Sequence, residues 1–360
     1  MLTPREQGTG RLLPYLSLAC CGLALLLTFV RLIEFDAPLT RFVRSLNDFH
    51  IDHLHNPWLA QLSNVGNDVG KGESLLLVNA VLLAAGYTLG RASLKRAGWE
   101  TLFAHLVAGG VNTALKHLVG RARPKFMHTG NSEFFPFGGA GWDSFPSGHT
   151  MATFAVAAVL AVRFPKVRWL VILWALIVSV SRLFRASHFL TDIVAGAVLG
   201  VLIGAVVAHS WEDRFASFTS ALMTVTPPLA VVLALMTTIG QSPSQGRTVT
   251  ILSQSGLLIV LAAMIAYVLL RVRPDVLSAS LTTMGAVALI GLGIALCSES
   301  LWVAAVILLV CLAYWLNTDF SGRATKPGSH PTWPYEAAFG LGVLLTLFTM
   351  IELRGALPMG

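Results

Sequence analysis

About ten or eleven runs of some 20 mostly apolar residues follow one another along this 360-residue chain, and no other feature restricts its fold as much. In hydrocarbon every backbone N–H and C=O must be satisfied within the protein, which uninterrupted apolar runs of this length achieve as helices. Composition agrees: 55% of residues are apolar and only 12% charged, where soluble domains carry about a quarter charged residues. The expected fold is all-α, a polytopic integral membrane protein. Intrinsic disorder, a disulfide scaffold and a nucleic-acid-binding domain are excluded. Cys20, Cys21, Cys297 and Cys311 lie in or at the ends of apolar stretches, without metal-ligand spacing.

The first run, Leu12 to Ile33, lacks a small-residue cleavage site and reads as an uncleaved span. Further spans are expected at about 74–90, 99–119, 148–164, 168–184 and 189–209, completing a six-helix core in a domain of residues 1–215. A second block, residues 216–360, holds about five more transmembrane helices. Between the first two spans, Leu39, Phe42, Val43, Leu46 and Phe49 recur at helical spacing opposite Arg41, Arg44 and Asp48. That pattern predicts a helix lying on the outer membrane surface.

With the amino terminus inside, just over half of the 25 Lys and Arg residues fall on the cytoplasmic side, as the positive-inside rule requires. Lys116, Arg121, Arg123, Lys125, Arg182 and Arg185 break the rule by clustering in two outward loops. Charge placed against a topological rule calls for a reason.

Three constellations supply one. Lys116 is followed by Arg123-Pro124 at the end of the third span, joining a point charge to a planar fork that matches phosphate oxygens. Pro146-Ser147-Gly148-His149 precedes the fourth span. There Ser147 can cap the helix, and the free first-turn N–H groups form an anion site. Ser181-Arg182 leads to His188 and Asp192, spaced four apart so that the carboxylate can hold the imidazole in a fixed tautomer. Each constellation also has a plain structural reading as a snorkelling lysine, an ordinary cap or an interfacial histidine.

Taken in order, Lys-six-Arg-Pro, Pro-Ser-Gly-His and Ser-Arg-five-His-three-Asp match every position of the three-part signature of the PAP2 superfamily. The chain therefore resembles the type 2 phosphatidic acid phosphatases, a superfamily that also holds vanadium haloperoxidases, over about residues 33–209. The resemblance implies that Lys116, Arg123 and Arg182, with Ser147 and the N–H of Gly148, bind the phosphoryl oxygens. It implies that His188 attacks phosphorus to give a phosphohistidine, that Asp192 orients it, and that His149 protonates the leaving oxygen. No metal and no cofactor is expected. A lipid phosphate is the expected substrate, membrane lipids the expected surroundings, and nucleic acid is no partner. A monoester hydrolase or diphosphatase of the bacterial cytoplasmic (inner) membrane follows, its site facing the periplasm or exterior, with undecaprenyl diphosphate first by analogy. Phosphatidic acid, phosphatidylglycerol phosphate and lipid A phosphates complete the candidates. A phosphotransferase, a haloperoxidase and a lipid transporter or scaffold with a vestigial phosphatase block are the rivals.

The remaining polar residues read more plainly. His50, Asp52, His53 and His55 are taken as interfacial residues, not a metal site. His105 and Asn112 share a helix face with Lys116 and line either the groove or an internal hydrogen-bond network. Arg121, Lys125, His128 and Arg185 are expected to make secondary head-group contacts.

Overall fold

The computed structural model describes residues 4–45, 57–126, 133–210, 212–240, 247–272 and 279–321. They form α1 (Pro4–Ser45), α2 (Pro57–Val69), α3 (Gly72–Thr88), α4 (Ala92–Val119), α5 (Gly148–Arg163), α6 (Arg168–Phe184), α7 (Leu190–Val207), α8 (Arg214–Gly240), α9 (Arg247–Val272), α10 (Ala279–Ser298) and α11 (Leu301–Ser321). Among the described residues the sole β pairing is an isolated bridge between Arg121 and Phe134. Four described helices are long and apolar enough to cross a membrane, or five if the bent α2–α3 pair is one crossing. The chain is an all-α, multi-pass membrane protein. His50, Asp52, His53, His55, His128 and the last expected span lie outside the described residues.

Two compact units divide the chain. One comprises Ile33–Ala221; the other joins the first 32 residues to the chain from Leu222 onward. In the latter, Ser17 Oγ donates to the Ala313 carbonyl at 2.9 Å and Tyr314 to that of Met223 at 3.2 Å. There α9 and α10 meet across Gly256 and Gly293.

In the first unit α5 is central, packing against α3, α4, α6 and α7. Ala104 and Ala108 of α4, Met151, Ala155 and Val159 of α5, and Ala208 form one buried cluster. Small residues matter here because lipid provides no hydrophobic drive for helix association, so close backbone approach must supply it. Gly196, Gly200 and Gly204 of α7 make that approach to α5. A Cβ on Gly196 would stand 2.7 Å from the Ser147 carbonyl oxygen, and one on Gly204 would stand 2.7 Å from Ala158 Cβ. At the far end of α5, Arg163 pairs with Glu100 of α4 at 2.5 and 2.6 Å.

Two local features differ from the sequence expectation. No surface helix begins at Leu39, since α1 continues unbroken to Ser45 with Thr40 and Val43 buried. The cause is anchorage: Asp36 is buried in an ion pair with Arg121, and Arg44 Nη2 donates to the Pro124 carbonyl at 2.6 Å. The stripe read as membrane-facing packs partly on protein. In addition, α2 precedes the second expected span and meets α3 at a 54° bend. Gly66 and Gly70 bring α2 against α6, where a Cβ on Gly66 would lie 2.6 Å from that of Ser181.

Candidate active site

The loop after α4 turns at Gly120, whose φ of 58° and closeness to the Phe135 carbonyl exclude a side chain. It then folds back on itself. Ala122 N–H donates to the Glu133 carbonyl at 2.9 Å, Arg123 N–H to that of Gly141 at 2.9 Å and Ser144 N–H to that of Arg121 at 2.9 Å. The two arginines nevertheless take different partners, Arg123 the part-exposed Asp143 and Arg121 the buried Asp36 and Asp192. Arg123 faces the cage and Arg121 faces the interior.

Arg123 holds Asp143 bidentately, Nε to Oδ1 at 2.7 Å and Nη2 to Oδ2 at 2.5 Å, while Lys116 Nζ stands 3.6 Å from Oδ2. Burial raises the Asp143 pKa, but the hydrogen bond and charge of Arg123, with Lys116, outweigh it and bring it to about 2. The Asp143 carboxylate therefore occupies the Arg123 fork.

Arg182, buried at the end of α6, donates to Asn67 Oδ1 of α2. Asn67 was invisible in the sequence, because nothing local marks an amide whose partner lies 115 residues away. Asn67→Ala should raise the Michaelis constant on the order of tenfold, with the turnover number less affected, since a hydrogen bond to a charged group is lost and the cation loosens. Steady-state kinetics on both constants checks this.

Between α6 and α7 the chain passes through Ala186, at φ 45°, to His188, which is buried. The imidazole Nδ1 lies 2.7 Å from the Ser144 carbonyl oxygen and 3.7 Å from Asp192 Oδ2. A carbonyl only accepts, so Nδ1 carries the proton and Nε2 presents its lone pair. The Ser144 carbonyl thus holds the tautomer, and the Asp192 carboxylate to which the four-residue spacing points lies 3.7 Å from the same nitrogen. Asp192 is engaged elsewhere: it accepts from Ser144 Oγ at 2.6 Å, Phe189 N–H at 2.9 Å and Arg121 Nη1 at 2.7 Å. Burial, joined by the charges of Arg182 and Arg123, brings the His188 pKa down to about 4 against the opposing hydrogen bond and charge of Asp192. At neutral pH the ring is uncharged.

The start of α5 completes the arrangement. Ser147 is the N-cap, yet its hydroxyl makes no capping bond and lies 3.0 Å from Thr150 Oγ1. The first-turn N–H groups, including that of Gly148, are left without the expected serine cap, which suits an incoming anion. Asn112 Nδ2 donates to the Pro146 carbonyl at 3.0 Å and fixes the turn before the helix. His149 follows at the helix start and shares its electrostatic surroundings with Arg182, His188, Lys116 and Arg123.

Lys116, Arg123, Ser147, Gly148, His149, Arg182, His188 and Asp192 therefore converge from the ends of α4, α5, α6 and α7 and from the loops that follow α4 and α6. Arg185 is exposed and donates to Asn64 at 2.9 Å, and Lys125 sits over the Phe126 ring. Arg121 is not a head-group contact but is buried between two carboxylates. Among the described residues no three His, Cys, Asp or Glu side chains group as a metal site.

The PAP2 superfamily family model matches residues 97–216. The chain is 28% identical over 211 residues to the lipid A 1-phosphatase of Rhizobium johnstonii, covering 54% of this chain and 81% of that protein. It is 29% identical over 164 residues to phosphatidylglycerophosphatase B of Bacillus subtilis, covering 42% and 74%. With the lipid A 4'-phosphatase of Bacteroides thetaiotaomicron the identity is 32% over 147 residues, covering 35% and 64%. No solved structure matches. Residues 97–216 are a PAP2 superfamily domain, and the chain that carries it is a membrane hydrolase of the phosphatase class.

Proposed function

We propose that the protein removes phosphate from a membrane lipid at the outer face of a bacterial cytoplasmic membrane, through a phosphohistidine on His188. The observation that carries the reading is the Nδ1–H bond to the Ser144 carbonyl, which leaves Nε2 as an uncharged nucleophile. Lys116, Arg123 and Arg182 neutralise the phosphoryl oxygens, and Ser147 with the N–H of Gly148 receives one of them. Positioning and charge stabilisation are most of what phosphoryl transfer requires.

In the first step a bond forms from Nε2 to phosphorus and the bond to the lipid oxygen breaks, with His149 delivering a proton to that oxygen. In the second, His149 takes a proton from water, whose oxygen attacks phosphorus and releases inorganic phosphate and free His188. The names of the relatives, lipid A 1- and 4'-phosphatase and phosphatidylglycerophosphatase B, favour lipid A and phosphatidylglycerol phosphate as substrate classes. Phosphatidic acid and undecaprenyl diphosphate share the chemistry.

The test is inorganic phosphate release in detergent with EDTA across these lipids. Release that persists with EDTA supports the reading, and release from none of them overturns it. A reporter fused after residue 130 tests the orientation, and a cytoplasmic signal there would refute it.

Asp143 gives a second prediction. Because its carboxylate competes with substrate for Arg123 and Lys116, Asp143→Asn should tighten inhibition by inorganic phosphate or vanadate by about three- to tenfold. Weaker inhibition would instead mean that Asp143 serves to aim Arg123.

A further inference from the structure

Behind His188 lies a charged assembly of which only Asp192 belongs to the three constellations. Arg121 donates from Nη2 to Asp36 Oδ2 at 2.8 Å, and from Nη1 to Asp192 Oδ1 and Thr191 Oγ1, each at 2.7 Å. Thr191 in turn donates its hydroxyl to Asp36 Oδ2 and its N–H to Asp36 Oδ1, the latter at 3.0 Å. The three charged side chains are 0 to 2% exposed. The Phe189 ring lies 4.1 Å from the guanidinium carbon and the Phe134 ring 5.8 Å. Three charges buried together cost desolvation that apolar residues of similar size would avoid, so helix packing alone does not account for them.

The assembly reaches the nucleophile by a short route. Ser144 donates its N–H to the Arg121 carbonyl at 2.9 Å and its hydroxyl to Asp192 Oδ2 at 2.6 Å, and its carbonyl receives the His188 Nδ1–H at 2.7 Å. From this we infer that Arg121 and Asp36 are positioning residues, which set the orientation and charge of the His188 ring through Asp192 and Ser144. The inference rests on the reading of His188 as nucleophile.

Charge bookkeeping separates this role from simple bracing of α1. With both carboxylates ionised, the triad carries a net charge of −1. Arg121→Gln makes it −2, Asp36→Asn makes it 0, and the double variant restores −1. The groups facing His188 are Asp192 from α7, Arg182 from α6, Arg123 and Asp143 from the loop, and His149 from α5. All of them are untouched in these variants.

The experiment follows His188 by carbon-13 NMR of ring-labelled protein, assigned by loss of the signal in His188→Ala, alongside the pH profile of phosphate release. Arg121→Gln should move the titration midpoint up and Asp36→Asn down, each by about half a pH unit or more, and the double variant should return it near the wild-type value. Midpoints that stay put, or move in the same direction in both single variants, overturn the inference. Should Arg121→Gln fail to fold, Asp36→Asn and the double variant still decide: a downward shift reversed in the double supports the inference, and no shift overturns it. If the wild type releases no phosphate from any lipid, the functional proposal fails, while the NMR titration still tests the coupling.

Discussion

Replacing His188 by Ala should abolish phosphate release, with a loss on the order of 10³-fold or more in turnover and little change in thermal stability. The size follows from the role: without an Nε2 lone pair in line with phosphorus, the covalent route closes, and only the cation cage and water remain. Stability should hold because the hydrogen bonds of Asp192 to Ser144, Phe189 and Arg121 do not pass through the imidazole. The complementary variant, His149→Ala, should accumulate phosphoenzyme, since a water molecule must then attack without a base. With an aryl phosphate whose leaving group needs no proton, acid-labile phosphate should be trapped on the protein and should vanish when His188 is also removed. Phosphate release that survives His188→Ala would end the phosphohistidine scheme.

The second large effect lies away from the chemistry. Gly200→Val should prevent recovery of folded protein in detergent, since a Cβ there meets the Met151 carbonyl and stands 2.8 Å from Phe154 Cβ and 3.0 Å from Ala155 N. Backbone atoms cannot step aside, so α7 must move off α5 as a body, at an expected cost of more than about 3 kcal/mol. Gly109→Ala is the control: nothing lies within 4 Å of a Cβ at that position, and the substitution should be neutral or stabilising by up to about 1 kcal/mol. Thermal unfolding and size-exclusion profiles of the two variants check both statements. Equal recovery of the two proteins would show that the glycine stripe is not what seats α7.

The same pair of helices shows what could be read from the sequence and what could not. The spans at α3 and at α5 to α7 were legible to within about two residues, because runs of about 20 apolar residues have few alternatives in lipid, whereas α4 begins at Ala92, ahead of the expected start at residue 99. The convergence of Lys116, Arg123, His149, Arg182, His188 and Asp192 was likewise written in spacing. Arg121 was misread since two arginines two apart look alike in sequence, and only the contacts of Arg121 with Asp36, Asp192 and Ser144, all distant in the chain, reveal that it turns inward. Asp36 did carry a signal, an acidic residue within a long apolar helix, which in such places usually marks function. The α2 helix and Asn67 were not legible, because their role rests on Gly66 and Gly70 meeting a helix more than 100 residues on.

The brevity of α5 bears on where the reaction takes place. Its 16 residues rise about 24 Å, whereas the hydrocarbon layer is about 30 Å thick. If the Arg163–Glu100 pair at its far end marks one boundary, the opposite end, with Ser147, Gly148 and His149, stops some 6 Å short of the other. The phosphate seat is then a recess below the head-group plane, and a phosphate tethered to acyl or prenyl chains is already near that depth. A water-soluble ester must leave bulk solvent and descend unaided, so turnover should favour lipid esters over soluble ones and fall as the bilayer is made thicker.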